Sequence, residues 1–172
     1  MYLKKGIKIV TLLITFGSLF IFFYISLNKK KEFEPKVMIG KEFPTLSSKS
    51  LFDDKIIKIE KGTSDKIFLV NIFASWCLPC KIEHPFLMKL KNRNIKIIGI
   101  NYKDTKKNAK KFLEKNKNPY QKILIDRKGE LSINLGAYGV PETYLVDKNF
   151  KIIDKHIGPI NDQIVAKVLS LR

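Results

Sequence analysis

The stretch "FASWCLPCKIEHP", residues 73–85, holds both cysteines of the chain and its only tryptophan. Two residues separate Cys77 from Cys80, and such a pair serves a metal site, a structural disulfide or a redox reaction. A structural zinc site normally takes four ligands, and only His84 and His156 could join the cysteines. Nothing in the spacing brings His156 to the others, so we expect no metal. A disulfide across so short a loop adds little stability.

The residues around Cys77 and Cys80 favour a redox-active pair over a metal site or a structural disulfide. "KIFLVNIF" (66–73) is a nearly continuous apolar run, which is typical of a strand buried on both faces. A helix is predicted to begin just after Cys77 and to run to about Lys91, and Pro79 suits its first turn. Unpaired N–H groups at a helix N-terminus favour a thiolate at Cys77. Cys80, one turn further in, is expected to be shielded and to attack a mixed disulfide from inside, whereas Cys77 is expected to be accessible.

The rest of residues 37–172 alternates between strand and helix patterns, which predicts an α/β fold. A helix is predicted from a cap at Asp104 to about Asn116, and a closing helix from a cap at Asn161 or Asp162. "ETYLVD" and "FKIIDKHI" flank the turn "KN" and predict an antiparallel hairpin. The other predicted strands are 55–60, 66–73, 95–101 and 122–126.

The N-terminal residues predict a membrane anchor. Residues 9–27 contain no charged side chain, and nineteen residues at about 1.5 Å each span roughly the thickness of a bilayer core. A cleaved signal peptide is the alternative, but it has a shorter apolar run and a small-residue cleavage site. We therefore divide the chain into a short N-terminal segment (1–8), an anchor (9–27), a tether (28–36) and a soluble domain (37–172). Lysines flank the span on both sides, so their count does not orient it.

The formal net charge of +17 raises the question of an anionic partner. Of the 33 basic residues only three are Arg, and the lysines are scattered without an Arg-rich or aromatic-interleaved stripe. A Lys-, Ile- and Asn-rich composition explains the excess more simply than a binding surface does. We therefore expect no nucleic-acid partner.

Four stretches of the sequence carry a family resemblance: "NIFASWCLPCKIEHPFL", "GINYKDTKKNAKKFLEKNKNPY", "DRKGELSINLGAYGVPETYLVD" and "HIGPI". Together they resemble the membrane-anchored thiol:disulfide interchange proteins of cytochrome c maturation, the CcmG/DsbE family with its thioredoxin-like fold. The resemblance covers about residues 38–165, and "GVPET" (139–143) is similar to the segment that carries the cis-proline of that fold, here Pro141. Thioredoxins commonly hold a buried Asp at the position of Asn71, whereas the narrower family resembles this sequence there.

The resemblance implies a central mixed β-sheet flanked by helices, and a disulfide reductase that needs no cofactor. It implies a place in the bacterial inner membrane, with the N-terminus (1–8) in the cytoplasm and the soluble domain in the periplasm. The implied partners are apocytochrome c, other cytochrome c maturation proteins and a membrane carrier of thiol reductant. Cys77 and Cys80 would form the redox-active disulfide, with Cys77 attacking and Cys80 resolving. Trp76 and the backbone of Val140 beside Pro141 would form the docking platform.

Further residues near the motif carry open interpretations. Glu83 is either a solvated helix residue or a carboxylate that tunes the cysteine pKa and takes the Cys80 proton. Glu142 is expected to border the groove as a rim carboxylate, and Tyr138 could line it. His84 is expected to be a helix-surface or packing residue rather than a catalytic one, and Pro85 is expected to kink the helix.

Two other functions remain open at this point. One is a general extracytoplasmic thioredoxin-like oxidoreductase with broad substrates, which could oxidise rather than reduce. The other is a membrane-tethered module that holds apocytochrome and does not need its cysteines.

Overall fold

The structure, a computed structural model, describes residues 2–28 and 38–171, and the side chains of 6–26 and 38–171. Most of the predicted tether (28–36) lies outside the described residues. The chain forms two compact units, Met1–Glu34 and Pro35–Arg172. The elements are α1 (Tyr2–Asn28), β1 (Leu46–Lys49), β2 (Ile56–Ile59), β3 (Phe68–Phe73), α2 (Leu78–Asn92), β4 (Lys96–Tyr102), α3 (Lys106–Asn116), β5 (Lys122–Asp126), α4 (Glu130–Asn134), β6 (Glu142–Val146), β7 (Ile152–Ile157) and α5 (Asp162–Ser170).

The first unit contains α1, a single apolar helix. Its stretch Gly6–Ser26, 21 residues with a mean hydropathy of 2.2, is long and apolar enough to cross a membrane. None of that stretch is buried against other residues, so its apolar side chains are available to lipid. A signal sequence near the N-terminus would have the same properties.

The second unit is built on a mixed sheet with strand order β5-β4-β3-β6-β7. The strands β3, β4 and β5 run parallel, while β6 is antiparallel to β3 and β7 to β6. Helices α2 and α3 make the crossovers between the parallel strands, as parallel pairing requires. The predicted central mixed sheet with flanking helices is thus present, and so is the predicted β6–β7 hairpin.

Both faces of the sheet are covered, which explains the continuous apolar run of β3. Leu69 and Phe73 point to the cluster formed with α2, α3 and α5. Phe68, Val70 and Ile72 point to the opposite cluster, which the β1–β2 hairpin and the 135–152 region help to close. Because side chains alternate along a strand, every residue of β3 is buried.

Several local predictions were incomplete or wrong. The sequence did not predict β1 or α4, each five residues or shorter. Thr105, rather than Asp104, caps α3 by accepting a hydrogen bond from the Asn108 N–H. Asp104 is buried instead and serves the turn before α2. Asn161 caps α5, one of the two residues predicted for that role.

Candidate active site

Cys77 and Cys80 form a disulfide at the N-terminus of α2. Cys77 is the N-cap residue, and its sulfur accepts a hydrogen bond from the Cys80 N–H at 3.1 Å. Pro79 lies in the first turn, where its missing N–H costs no helix hydrogen bond. A thiolate at Cys77 would therefore face the unpaired N–H groups of the helix start, which stabilise negative charge.

The expected difference in accessibility between the two cysteines is absent from this disulfide form. Cys77 is 3% exposed and Cys80 2% exposed, because both side chains pack into the cluster under α2. The exposed surface around them belongs to Trp76, Leu78 and Pro79.

The turn that carries Trp76 is held by the loop after β4. The Trp76 indole Nε1–H donates to the Lys103 carbonyl at 3.1 Å, and its ring is 55% exposed. The buried carboxylate of Asp104 accepts from the Ser75 N–H at 2.7 Å, and from the Ser75 hydroxyl and the Asn101 amide. Asp104 thus fixes the approach to Cys77, a role that sequence analysis missed.

The Val140–Pro141 peptide bond is cis, as the resemblance of "GVPET" implies. Pro141 is buried, whereas Val140 is half-buried and contacts both apolar clusters. Among the described residues, none makes a hydrogen bond to the backbone N–H or C=O of Val140. Tyr138, two residues earlier, is exposed.

Glu83 is fully buried, so its reading as a solvated helix residue is wrong. It lies on the same buried face of α2 as Cys80. Its carboxylate accepts from the Asn71 side-chain amide at 2.9 Å and from the Ile160 N–H at 3.1 Å. Asn71 in turn accepts from the Tyr120 hydroxyl at 2.7 Å.

Burial raises the pKa of Glu83 to about 7, although the hydrogen bonds from Asn71 and Ile160 work against that shift. The pKa of the Tyr120 hydroxyl is raised by its own burial first and by the Glu83 charge second. Tyr120 therefore remains a neutral donor, whereas Glu83 can both hold and release a proton near neutral pH.

The raised pKa of Glu83 makes folding stability pH-dependent. Between the ordinary pKa of 4.5 and about 7, the folded state binds more protons than the unfolded state. Stability should thus fall as pH rises through this range, by roughly 3 kcal/mol in total. Urea unfolding from pH 5 to pH 8 measures this slope. Glu83→Gln should remove the fall and leave the opposite contribution of His84, whose pKa is lowered by burial.

The control for this prediction is Glu114→Gln, which removes an exposed carboxylate from α3. It should keep the wild-type slope. An equal slope in wild type and Glu83→Gln would show that the Glu83 carboxylate ionises in the folded protein as it does in the unfolded one.

Glu142 is also fully buried, so the prediction of a rim carboxylate is wrong. Its Oε2 lies 3.0 Å from the Lys155 Nζ, and each side chain is 1% exposed. Its Oε1 accepts from the N–H groups of Tyr138 and Gly139. These two hydrogen bonds anchor the loop before Pro141. Because side chains alternate along β6, Glu142 lies on the opposite sheet face from Thr143, which contacts Asn71.

His84 and Pro85 follow the cysteines on α2. His84 is buried, its Nε2 lies 2.8 Å from the Lys117 carbonyl, and burial lowers its pKa. Of the two roles expected for His84, helix surface and packing, its burial fits packing. Pro85 lies inside the helix. Among residues 2–28 and 38–171, no three His, Cys, Asp or Glu side chains are placed to hold a metal ion.

Comparison with known proteins decides the family. The sequence profile of the Redoxin family matches residues 38–169. The chain belongs to the redoxin family. It is 37% identical to the thiol:disulfide interchange protein DsbE of Pseudomonas fluorescens biotype C over 98% of this chain and 97% of that protein. It is 34% identical to DsbE of Haemophilus influenzae over 95% and 93% of the two chains. This redoxin is thus a DsbE-type protein and a thiol:disulfide oxidoreductase, which confirms the resemblance.

The fold of this redoxin is thioredoxin-like. The thioredoxin domain of a thiol-disulfide oxidoreductase from Bacteroides vulgatus superposes with a TM-score of 0.65 at 22% identity. The match covers 78% of this chain and 98% of that domain.

Proposed function

We propose that the protein is a membrane-anchored reductase that acts on the disulfide of the haem-attachment site of apocytochrome c, directly or through another maturation protein. The observation that carries the proposal is the Cys77–Cys80 disulfide at the cap of α2. It stands in a chain that matches DsbE proteins over nearly its whole length. The cis peptide bond before Pro141 completes the arrangement of the family.

The chemistry follows from the two sulfurs. The Cys77 thiolate attacks one sulfur of the substrate disulfide, and a mixed disulfide forms while the other substrate sulfur leaves as a thiolate. Cys80 loses its proton and attacks the Cys77 sulfur, which releases the second substrate sulfur. Two electrons pass from the cysteine pair to the substrate, and its two thiolates each take up a proton. A dithiol carrier in the membrane then returns two electrons to the pair.

Glu83 is the group we assign to the Cys80 proton. Cys80 and Glu83 are three residues apart on one buried helix face, so they are neighbours on the helix surface. A carboxylate with a pKa of about 7 can accept a thiol proton and return it in the next cycle. The same charge, when present, disfavours a second negative charge on Cys80.

The docking platform is formed by Trp76 and Val140. The exposed indole of Trp76 offers an apolar surface beside Cys77. The free backbone groups of Val140 can pair with an extended substrate segment, as in strand addition.

The localisation that we propose is a single-pass inner-membrane protein with its soluble domain in the periplasm. The length and apolar character of α1 support an anchor. A reductase of exported cytochromes must work outside the cytoplasm, which places the N-terminus inside. Disulfides form in that oxidising compartment, so a dedicated reductant is needed there.

A deletion strain tests the proposal. Loss of this protein should abolish c-type cytochromes, detected by haem staining, while other disulfide-containing periplasmic proteins keep their thiol state. The wild-type gene should restore the cytochromes, and a Cys77→Ser/Cys80→Ser form should not. The protein should stay in the membrane fraction after alkaline extraction.

Each alternative has its own outcome in this strain. A general defect across periplasmic disulfides would favour an oxidoreductase with broad substrates. Full rescue by the form without cysteines would indicate a binding module instead. A soluble protein that begins after about Ser26 would identify α1 as a cleaved signal sequence.

A further inference from the structure

A concave cleft lies beside the cysteine pair, between the start of α2 and one face of α3. Its volume is about 290 Å³. Ser75 stands two residues before Cys77 at one side of it, and Lys81 directly follows Cys80. The residues that line it are Ser75, Lys81, Asn108, Lys111, Phe112, Lys115 and Asn116.

The cleft is positively charged. Three of its seven lining residues are lysines and none is acidic. Lys111 and Lys115 are four residues apart on α3, a spacing at which like charges face each other and repel. Glu114, the acidic residue of α3, is not among the lining residues.

Six lysines among residues 38–171 form ion pairs, and the three cleft lysines are not among them. Among the residues that the structure describes, no carboxylate forms an ion pair with Lys81, Lys111 or Lys115, and all three are exposed. By contrast, Lys106 at the start of the same helix pairs with Asp54. An external anion can therefore pair with these charges and relieve their mutual repulsion.

The position and size of the cleft identify the anion. Two of its lining residues, Ser75 and Lys81, flank the Cys77–Cys80 pair in the chain, so a substrate bound to Cys77 passes close to it. Its volume lies at or below the lower end of the range for drug-sized ligands, about 300 Å³, but suits one or two carboxylate side chains. A flat lipid surface does not fit a concave site of this kind as well as a protruding side chain does.

We propose that this lysine cleft binds Asp or Glu side chains next to the disulfide of the partner protein, and so selects acidic polypeptides as substrates. The inference rests on the proposed reductase function and adds a selection rule to it. Charge complementarity of this kind acts mainly by speeding encounter, and its effect falls with salt.

The test uses the reduced full-length protein in a neutral detergent and three disulfide peptides with one Cys-x-x-Cys-His core. Three Glu, three Gln or three Lys residues flank the core. At low salt the Glu peptide should be reduced about tenfold faster than the Gln peptide, and the Lys peptide more slowly. The advantage should shrink with added salt.

Variants locate the effect. Lys111→Glu/Lys115→Glu should reverse the preference, and Lys111→Gln/Lys115→Gln, which keeps Lys81, should weaken it strongly with less risk to α3. Lys58→Glu/Lys122→Glu is the matched control, since it changes charge equally in a groove that contains the N-terminal end of β5. β3 and β5 run in the same direction in the sheet. The cysteines follow the C-terminal end of β3 at Phe73, whereas Lys122 is at the N-terminal end of β5, so this control lies at the other end of the sheet. It should keep the wild-type preference.

The outcomes separate this inference from the proposed function. Equal rates for the Glu and Gln peptides, or equal loss in cleft and control variants, would overturn the inference while reduction itself still supports the function. If no peptide is reduced, both fail. If the cleft variants lose binding to phosphatidylglycerol vesicles but keep the peptide preference, the cleft is a lipid site and the inference is wrong.

Discussion

Replacing Cys80 with serine should turn the protein into a trap for its own substrate. Cys77 can still attack a substrate disulfide, but no second thiol remains inside to release the mixed disulfide. Covalent complexes should therefore accumulate, and reductase turnover should fall to the uncatalysed rate. Non-reducing electrophoresis followed by mass spectrometry of the trapped partner measures both the linkage and the substrate.

Cys77→Ser is the matched control for this trap. It loses the attacking sulfur that caps α2, so it should form no complexes although Cys80 remains. Complexes through Cys80 in that variant would reverse the assigned roles. In the reduced wild type, alkylation should label Cys77 faster, even though both sulfurs are buried in the disulfide form. Reduction of the disulfide must therefore expose the Cys77 sulfur.

Local patterns in the sequence were enough to predict the framework of the site. The apolar run that forms β3 predicted a strand covered on both faces, and Pro79 behind Cys77 marked the start of α2. These features depend on residues within a few positions of one another. The same holds for "GVPET", where the family resemblance located the cis bond before Pro141.

Burial of the two glutamates could not be predicted this way. Carboxylates are rarely fully buried, and the groups that allow it are distant in sequence. Glu83 accepts hydrogen bonds from Asn71, 12 residues away in sequence, and from Ile160, 77 residues away. Asp104 likewise meets Ser75 across 29 residues. Once β3 is known to be covered by α2, however, a polar Asn71 on that face is a sign of a buried polar partner.

The ion pair of Glu142 and Lys155, on the other side of the sheet, is a second case of burial that the sequence did not predict. Lys155 is in β7, and its residue type alone favours a solvent-facing side chain, because lysines are rarely fully buried. Its Nζ instead lies 3.0 Å from the Glu142 carboxylate and donates to the Gly136 carbonyl at 2.8 Å. The nitrogen also lies 4.7 Å from the centre of the Tyr138 ring. The charge is therefore buried where the loop before Pro141 meets β7.

Lys155→Met should destabilise the domain by about 3–5 kcal/mol, because it leaves the Glu142 carboxylate buried without its cation. Glu142→Gln/Lys155→Met should recover part of that loss, since two neutral groups then face each other. Urea unfolding of the soluble domain measures the free energy of unfolding of each variant. The rate of thiol exchange, measured at a temperature where the variants are folded, reports on the loop before Pro141. Exchange should slow, because Glu142 holds the N–H groups of Tyr138 and Gly139.

The matched control is Lys167→Met, which makes the same substitution in an ion pair with Asp154. The Lys167 side chain is 52% exposed, so water already screens that charge and the loss should be at most about 1 kcal/mol. Equal losses for Lys155→Met and Lys167→Met would contradict a buried ion pair. A loss for Lys155→Met that the double variant does not reduce would show that packing of the lysine chain, rather than its charge, holds the Pro141 loop against β7.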